Sequence, residues 1–184
     1  IGAHTSPVPD IHPIYVDKYP EFAGTPCLMD CFGTLESLPI LDASLDYVVA
    51  SHVLEHSANP IKALVEMHRV LRHGGIAYLV LPDKNLTWDR TRETTPVDHF
   101  FEDYRMGTTD SYGTHIHDFD FNGDWEEYAP DTPPDKIEES RDIKAGQYQE
   151  AVDQGLEINI HFLTFDPANL RAMIDELNER PIPG

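Results

Sequence analysis

Residues 45–82 constrain the fold more than any other stretch of this chain. Leu45 to Ser51 reads LDYVVAS, a short and nearly continuous apolar run rich in β-branched residues. That is the pattern of a strand buried on both faces. Asn59 and Pro60 read as an N-cap followed by proline at the first helical position. Ile61, Leu64, Val65, His68 and Leu71 follow at helical spacing and predict one apolar stripe. Gly74 and Gly75 predict the end of that helix, because a glycine there accepts positive φ at no steric cost. Ile76 to Leu81 reads as a second buried strand, stopped by Pro82. A strand, helix and strand of these lengths predict a right-handed parallel crossover, and hence an α/β chain.

The same reading extends outward. Ile14 to Asp17 predicts a strand that ends in an acid, and Pro26 to Asp30 another. Thr95-Pro96 starts a helix with Val97, Phe100, Phe101 and Tyr104 on one face. Residues 107–133 lack periodicity and read as an ordered loop. Pro134 to about Gln154 predicts a polar helix, and Ile158 to Phe165 a short strand. Asp166-Pro167 caps a last helix striped by Leu170, Met173, Ile174 and Leu177, and Pro181 and Pro183 close the chain. At 184 residues this reads as one domain over 1–184, with 84–165 as a cap insertion, since a connection of some eighty residues far exceeds the usual length.

Charge narrows the function classes. Thirteen Lys and Arg face 33 Asp and Glu, a formal net charge of −20, which repels nucleic-acid phosphates and anionic lipid. No apolar run reaches the ~20 residues needed to cross a bilayer, and no secretory leader is visible. Cys27 and Cys31 read as small apolar residues, not as a disulfide framework or zinc knuckle. The expectation is a cytoplasmic protein without nucleic-acid or membrane partners.

Asp42 to His56, DASLDYVVASHVLEH, resembles the "D-x-S-x-D-x-V" strand and "S-H-V-L-E-H" turn of the type 11-related methyltransferase-domain family. Arg69 to Gly75, RVLRHGG, is similar to its "R-V-L-K-P-G-G", and Pro82-Asp83-Lys84 to its "P-D-K". The resemblance covers Leu41 to Tyr104. It implies a Rossmann-like, doubly wound, mostly parallel sheet with helices on both faces, here truncated at both ends. It also implies S-adenosylmethionine as cofactor. Ile1-Gly2-Ala3 would be the tail of the first strand with its glycine. Asp17 would hold the ribose hydroxyls, since a carboxylate can accept two hydrogen bonds. Asp30 and Leu35 would meet the adenine, and Ser51 and His52 would line the same pocket at the carboxyl ends of the strands.

The acceptor side rests on the polar run after Pro82. Lys84 and Arg92 are candidates to grip an anion, and His99 and His161 to take a proton. The acceptor expected is a small molecule or a sugar-bearing one. A non-catalytic domain of the same fold, binding a nucleoside or serving assembly, is the alternative. An unfinished sheet edge would favour a homodimer.

Two motifs point elsewhere. His52 to His56 spells H-x-x-E-H, the inverted zinc-protease signature. It follows a strand directly instead of lying inside a long helix, so a turn is expected. Asp118 to Asp124 mimics half of a calcium loop but has Ala129 where the closing glutamate belongs. His115, His117 and Asp118 offer a further weak metal pattern. No bound metal is expected.

Overall fold

The computed structural model describes residues 1–7 and 13–180. The expected closing prolines Pro181 and Pro183 lie outside them. The chain packs as two compact units. The first comprises Ile1–Leu54 with Pro60–Leu81, and the second Glu55–Asn59 with Pro82–Gly184. The segment 84–165, expected as a cap insertion, lies within the second unit. That segment shares a unit with residues 55–59 and with the last helix.

In the first unit the strands are β1 (Val16–Asp17), β2 (Glu21–Phe22), β3 (Thr25–Pro26), β4 (Cys31–Phe32), β5 (Leu45–Ser51) and β6 (Leu71–Val80). They form three two-stranded ladders: β1 with β4 parallel, β2 with β3 antiparallel, and β5 with β6 parallel. The strand expected at 26–30 is instead a hairpin arm at Thr25–Pro26 and a separate strand at Cys31. Ala23 and Gly24, both at positive φ, make the tight reversal between β2 and β3. Cys27 and Cys31 are free thiols.

The crossover is present. Helix α1 (Pro60–Val70) links β5 to its parallel partner β6. Its buried face is Pro60, Ile61, Ala63, Met67 and Val70, and His68 of the expected stripe is exposed. Gly74 and Gly75 do not end the helix. The chain passes from Val70 straight into β6, and the glycines lie inside the strand. There the register slips from Leu45↔Leu71 to Tyr47↔Ile76, the signature of a bulge. Gly74 takes φ +80°, and a Cβ on Gly75 would sit 2.9 Å from the Arg72 carbonyl oxygen. The glycine pair serves the bulge, not a C-cap.

The second unit holds α2 (Val97–Met106), α3 (Ile116–Asn122), α4 (Trp125–Tyr128), α5 (Ile137–Asp153) and α6 (Pro167–Glu179). Gly107, at φ +66°, ends α2 with its amide donating to Asp103 O and Tyr104 O. The expected loop at 107–133 contains α3 and α4, helices too short for periodicity to reveal. The calcium-like motif falls on α3, so its carboxylates are not arranged as a loop. Residues 158–165 are buried almost throughout but pair with no strand. Their backbone bonds go elsewhere: Ile158 N donates to Asp110 O, Phe162 N to Glu55 O and Thr164 N to Thr95 Oγ1. Among the described residues, no helix is long and apolar enough to cross a membrane.

Two packing features of this unit have measurable consequences. Asp166 caps α6, accepting from Ala168 N and Asn169 N at 2.8 Å each, while Asn169 Oδ1 accepts from Asp166 N at 2.8 Å. Asp166→Ala should lower stability by about 1 kcal/mol, read as a lower urea midpoint at unchanged slope. Asp120 is fully buried on α3, and neither carboxyl oxygen has a hydrogen-bond partner. Burial pushes its carboxyl up to about 6, against the opposing pull of Lys144 and Arg141. Raised above the unfolded value, this group favours the fold fully at pH below about 4, and that contribution is lost as pH rises through about 6. Asp120→Asn should therefore gain on the wild type as pH rises, by on the order of 2–3 kcal/mol at about pH 8 and by less at about pH 5. A difference in urea midpoint that does not change with pH would contradict this.

Candidate functional site

In the first unit, residues 1 and 2 bridge two ladders. The Ile1 nitrogen donates to Val49 O of β5 at 2.7 Å, and Gly2 N donates to Val16 O of β1 at 3.1 Å. Asp17, one residue past Val16, and Ser51, two past Val49, are therefore gathered near Gly2. Gly2 has φ +64°, and a Cβ on it would lie 2.5 Å from Val53 Cγ2. Only glycine fits, by conformation and by space. A cavity of about 480 Å³ adjoins this point, lined among others by Gly2, Ala3, Tyr15, Val49 and Ser51. Its size suits a small ligand.

The other expected cofactor residues are more scattered. Asp17 is buried, with Oδ1 accepting from Tyr19 N at 3.0 Å, which leaves its second oxygen to receive a donor. Leu35 is buried in the core. Asp30 is exposed, and its Oδ2 accepts from Tyr15 N at 2.8 Å. His52 is exposed at φ +55°. Asp17, Asp30, Leu35 and His52 do not line the cavity, whereas Gly2, Ala3 and Ser51 do. What stands together here is a glycine packed closely by Val53 and a buried strand-end carboxylate beside it.

In the second unit the polar groups converge on Arg92, which has no solvent contact. Its Nε and Nη2 donate to Asp118 Oδ2 at 3.0 and 2.6 Å, and Nη1 donates to Asp89 Oδ1 at 2.7 Å. His161 O and Phe162 O take the remaining two donors at 2.9 and 3.2 Å. All five N–H groups are committed, so the expectation that Arg92 grips an acceptor is corrected: it braces the site. Lys84 is likewise buried, its Nζ 3.4 Å from Arg90 O. Arg90 itself pairs with Asp124 and Glu127.

His161 sits in this brace. Its Nδ1 lies 2.6 Å from Asp89 Oδ2, and Trp88 stacks on its ring at 4.9 Å. Burial alone would push the Asp89 carboxyl up. The hydrogen bond and charge of His161, with the Arg92 guanidinium, outweigh it and hold Asp89 below the usual carboxylate range. An ionised Asp89 fixes the Nδ1–H tautomer and leaves Nε2 as the basic nitrogen. Glu55, His56 and His161 bring ligand-type atoms within 4.8 Å of one another. The H-x-x-E-H motif reaches this place through a 3-10 turn at Leu54–His56, not through a helix. His99, half-exposed on α2, stands against His115 and Asp103. The i, i+3 spacing of Asp89 and Arg92 was a usable signal for the brace. Nothing in the spacing of Asp118, His115 or Glu55 marked them as partners.

Residues 23–79 match the family model described as "Methyltransferase domain". Over 57 residues the chain is 42% identical to an uncharacterized 37.1 kDa protein in transposon TN4556 of Streptomyces fradiae. Over 68 residues it is 40% identical to a probable S-adenosylmethionine-dependent methyltransferase of Mycolicibacterium smegmatis. These alignments take in 31% and 37% of this chain but cover only 15% and 26% of the two relatives' lengths. No solved structure matches the chain. The matched stretch contains β5, α1 and nearly all of β6, the crossover described above. Over residues 23–79, then, this chain is similar to a methyltransferase domain, and it spans about a quarter or less of the length of the curated relatives it matches.

Proposed function

We propose that the chain transfers a methyl group from S-adenosylmethionine to a small-molecule or sugar-bearing acceptor, and that its ladders belong to a Rossmann-like, doubly wound sheet. The observation that carries the reading is the pairing of Gly2, where no side chain fits, with the buried strand-end carboxylate of Asp17. In this reading the cofactor enters the cavity that Gly2, Ala3 and Ser51 line, and Asp17 accepts hydrogen bonds from the ribose hydroxyls. Ser51 and His52 line the same end of the strands, and Asp30 and Leu35 flank the adenine side. The bound cofactor would supply an already activated methyl on a sulfonium, so the protein's task is alignment and exclusion of water.

A base is needed only for a hydroxyl or amine acceptor. His161, with Nδ1 held by Asp89 and Nε2 basic, is the residue we assign to that role, with His99 as the second candidate. Arg92 acts through Asp89 and the His161 carbonyl and so positions the base. The −20 charge supports an acceptor that is not a nucleic acid. Free thiols support a reducing, cytoplasmic setting. Exposed Ile76 and Tyr78 on β6 support self-association along that ladder.

S-adenosylhomocysteine should bind the chain in calorimetry, and Asp17→Ala should weaken it by at least about tenfold, the loss of one charge-assisted interaction. His161→Gln should leave that affinity intact while abolishing turnover of a hydroxyl acceptor. Equal affinity in wild type and Asp17→Ala would remove Asp17 from the ribose. No binding to either would favour an assembly role.

A further inference from the structure

Three side chains of the second unit point at one spot. His99 and Asp103 are i and i+4 on α2, so both leave the same face of the helix. His115 ends the 3-10 turn Gly113–His115. His99 Nε2 and His115 Nε2 are 3.1 Å apart, and Asp103 Oδ2 lies 3.5 Å from the first and 3.6 Å from the second. A tetrahedral ion with bonds of roughly 2.0–2.1 Å to nitrogen and oxygen spaces its ligands roughly 3.3 Å apart. The triangle has the dimensions of one face of such a shell.

Hydrogen bonding within the trio leaves a remainder. One imidazole N–H can donate to the other ring, but Asp103 Oδ2 is then at hydrogen-bond distance from neither. That oxygen is buried without a hydrogen-bond partner, on a residue only 5% exposed. A buried carboxylate oxygen left so is costly, and a bound cation removes the cost. The surroundings fit a ligand set. Thr114 Oγ1 lies 2.9 Å from His115 Nδ1 and can take its proton, which turns the Nε2 lone pair toward the trio. Phe162 packs edge-on to the His115 ring at 5.7 Å and holds it in place. The His99 side chain is 40% exposed, so an ion can reach the spot from solvent.

We infer that His99, Asp103 and His115 bind a divalent transition-metal ion of the zinc type, leaving a fourth position for water or an oxygen-bearing ligand. Two imidazoles select such ions over magnesium or calcium, which take all-oxygen shells. Three protein ligands are the pattern of sites that keep a position open. The inference departs from the expectation of no metal and, by committing His99 to the ion, leaves His161 as the base; its test needs only the ion.

The test is titration of the purified, tag-free full chain with Co²⁺ or Zn²⁺ alone. One equivalent of Co²⁺ should bind and give the visible absorption of a tetrahedral ion, and Zn²⁺ should displace it. Losing a mere outer partner of such sites costs roughly 10–100-fold in affinity. Asp103→Asn and His115→Ala should therefore each weaken binding by more than about a hundredfold in competition with a chromophoric chelator. His117→Ala, on the exposed side of α3, should change nothing. His99→Ala, at a half-exposed position, gives the same reading should a buried variant fail to fold. The inference is overturned by no stoichiometric uptake, by uptake unchanged in both His99→Ala and His115→Ala, or by loss confined to His56→Ala.

Discussion

Arg92 carries a full positive charge into a place with no solvent contact, and five N–H donors must be met there for the second unit to close. Two carboxylates and two carbonyls meet them, drawn from three parts of the chain: Asp89 in its own turn, Asp118 on α3, and His161 and Phe162 in the buried stretch before α6. Breaking one partner of such a buried set strands the other charge and typically costs about 3–5 kcal/mol. The brace also fixes what its members can do. Asp89 stays ionised, and through it His161 is held to one tautomer. Once the carbonyls of 161 and 162 point at the guanidinium, they cannot join a ladder. That is why an apolar, β-rich sequence runs through the core without becoming a strand.

The first unit has a counterpart in Arg69. Its guanidinium pairs with Glu66 and Asp42 and donates to Leu38 O and Ile40 O, while Glu66 Oε1 accepts from Leu38 N at 2.6 Å. The hydrogen bond from Arg69 and the amide of Leu38 hold the Glu66 carboxyl low, against its partial burial. One helix face thereby fastens the segment that runs from β4 to β5 and sets where β5 begins. The adjoining bulge at Gly74 and Gly75 absorbs the mismatch between a helix ending at Val70 and a partner strand starting at Leu45.

What could be read from the sequence was whatever repeats. The strand β5, the start of α1 and the cap of α6 are local, and local chemistry fixed them: a β-branched run at Leu45–Ser51, Pro60 at the first helical position, Asp166 before Pro167. The Gly74-Gly75 pair shows the limit. Glycine signals positive φ, but whether that serves a helix end or a bulge depends on the register of a strand some thirty residues away. Helices α3 and α4 were invisible because seven and four residues hold too few turns to show a period. At the candidate site, Gly2, Asp17, His99 and His161 carried recognisable signals. Arg92 was misread because an isolated cation in an acidic chain looks like a grip until its five partners are known.

Buried carboxylates in the second unit show why residue type alone underdetermines chemistry. Asp89, Asp103 and Asp120 are all at least nine-tenths buried, and each has a different environment. Asp89 faces a guanidinium and an imidazole and is held in its charged form. Asp120 has no hydrogen-bond partner for its carboxyl, and burial moves it toward the neutral form against the pull of Lys144 and Arg141. Asp103 faces two imidazole nitrogens at 3.5 and 3.6 Å, and its Oδ2 is buried without a hydrogen-bond partner. Desolvation penalises Asp89 and Asp120 alike, so the groups around each decide the outcome. An acid that finds a guanidinium becomes scaffold, and one that finds no hydrogen-bond donor becomes a pH-sensitive liability. The acid that finds two facing imidazoles shares with them the spacing of a ligand set.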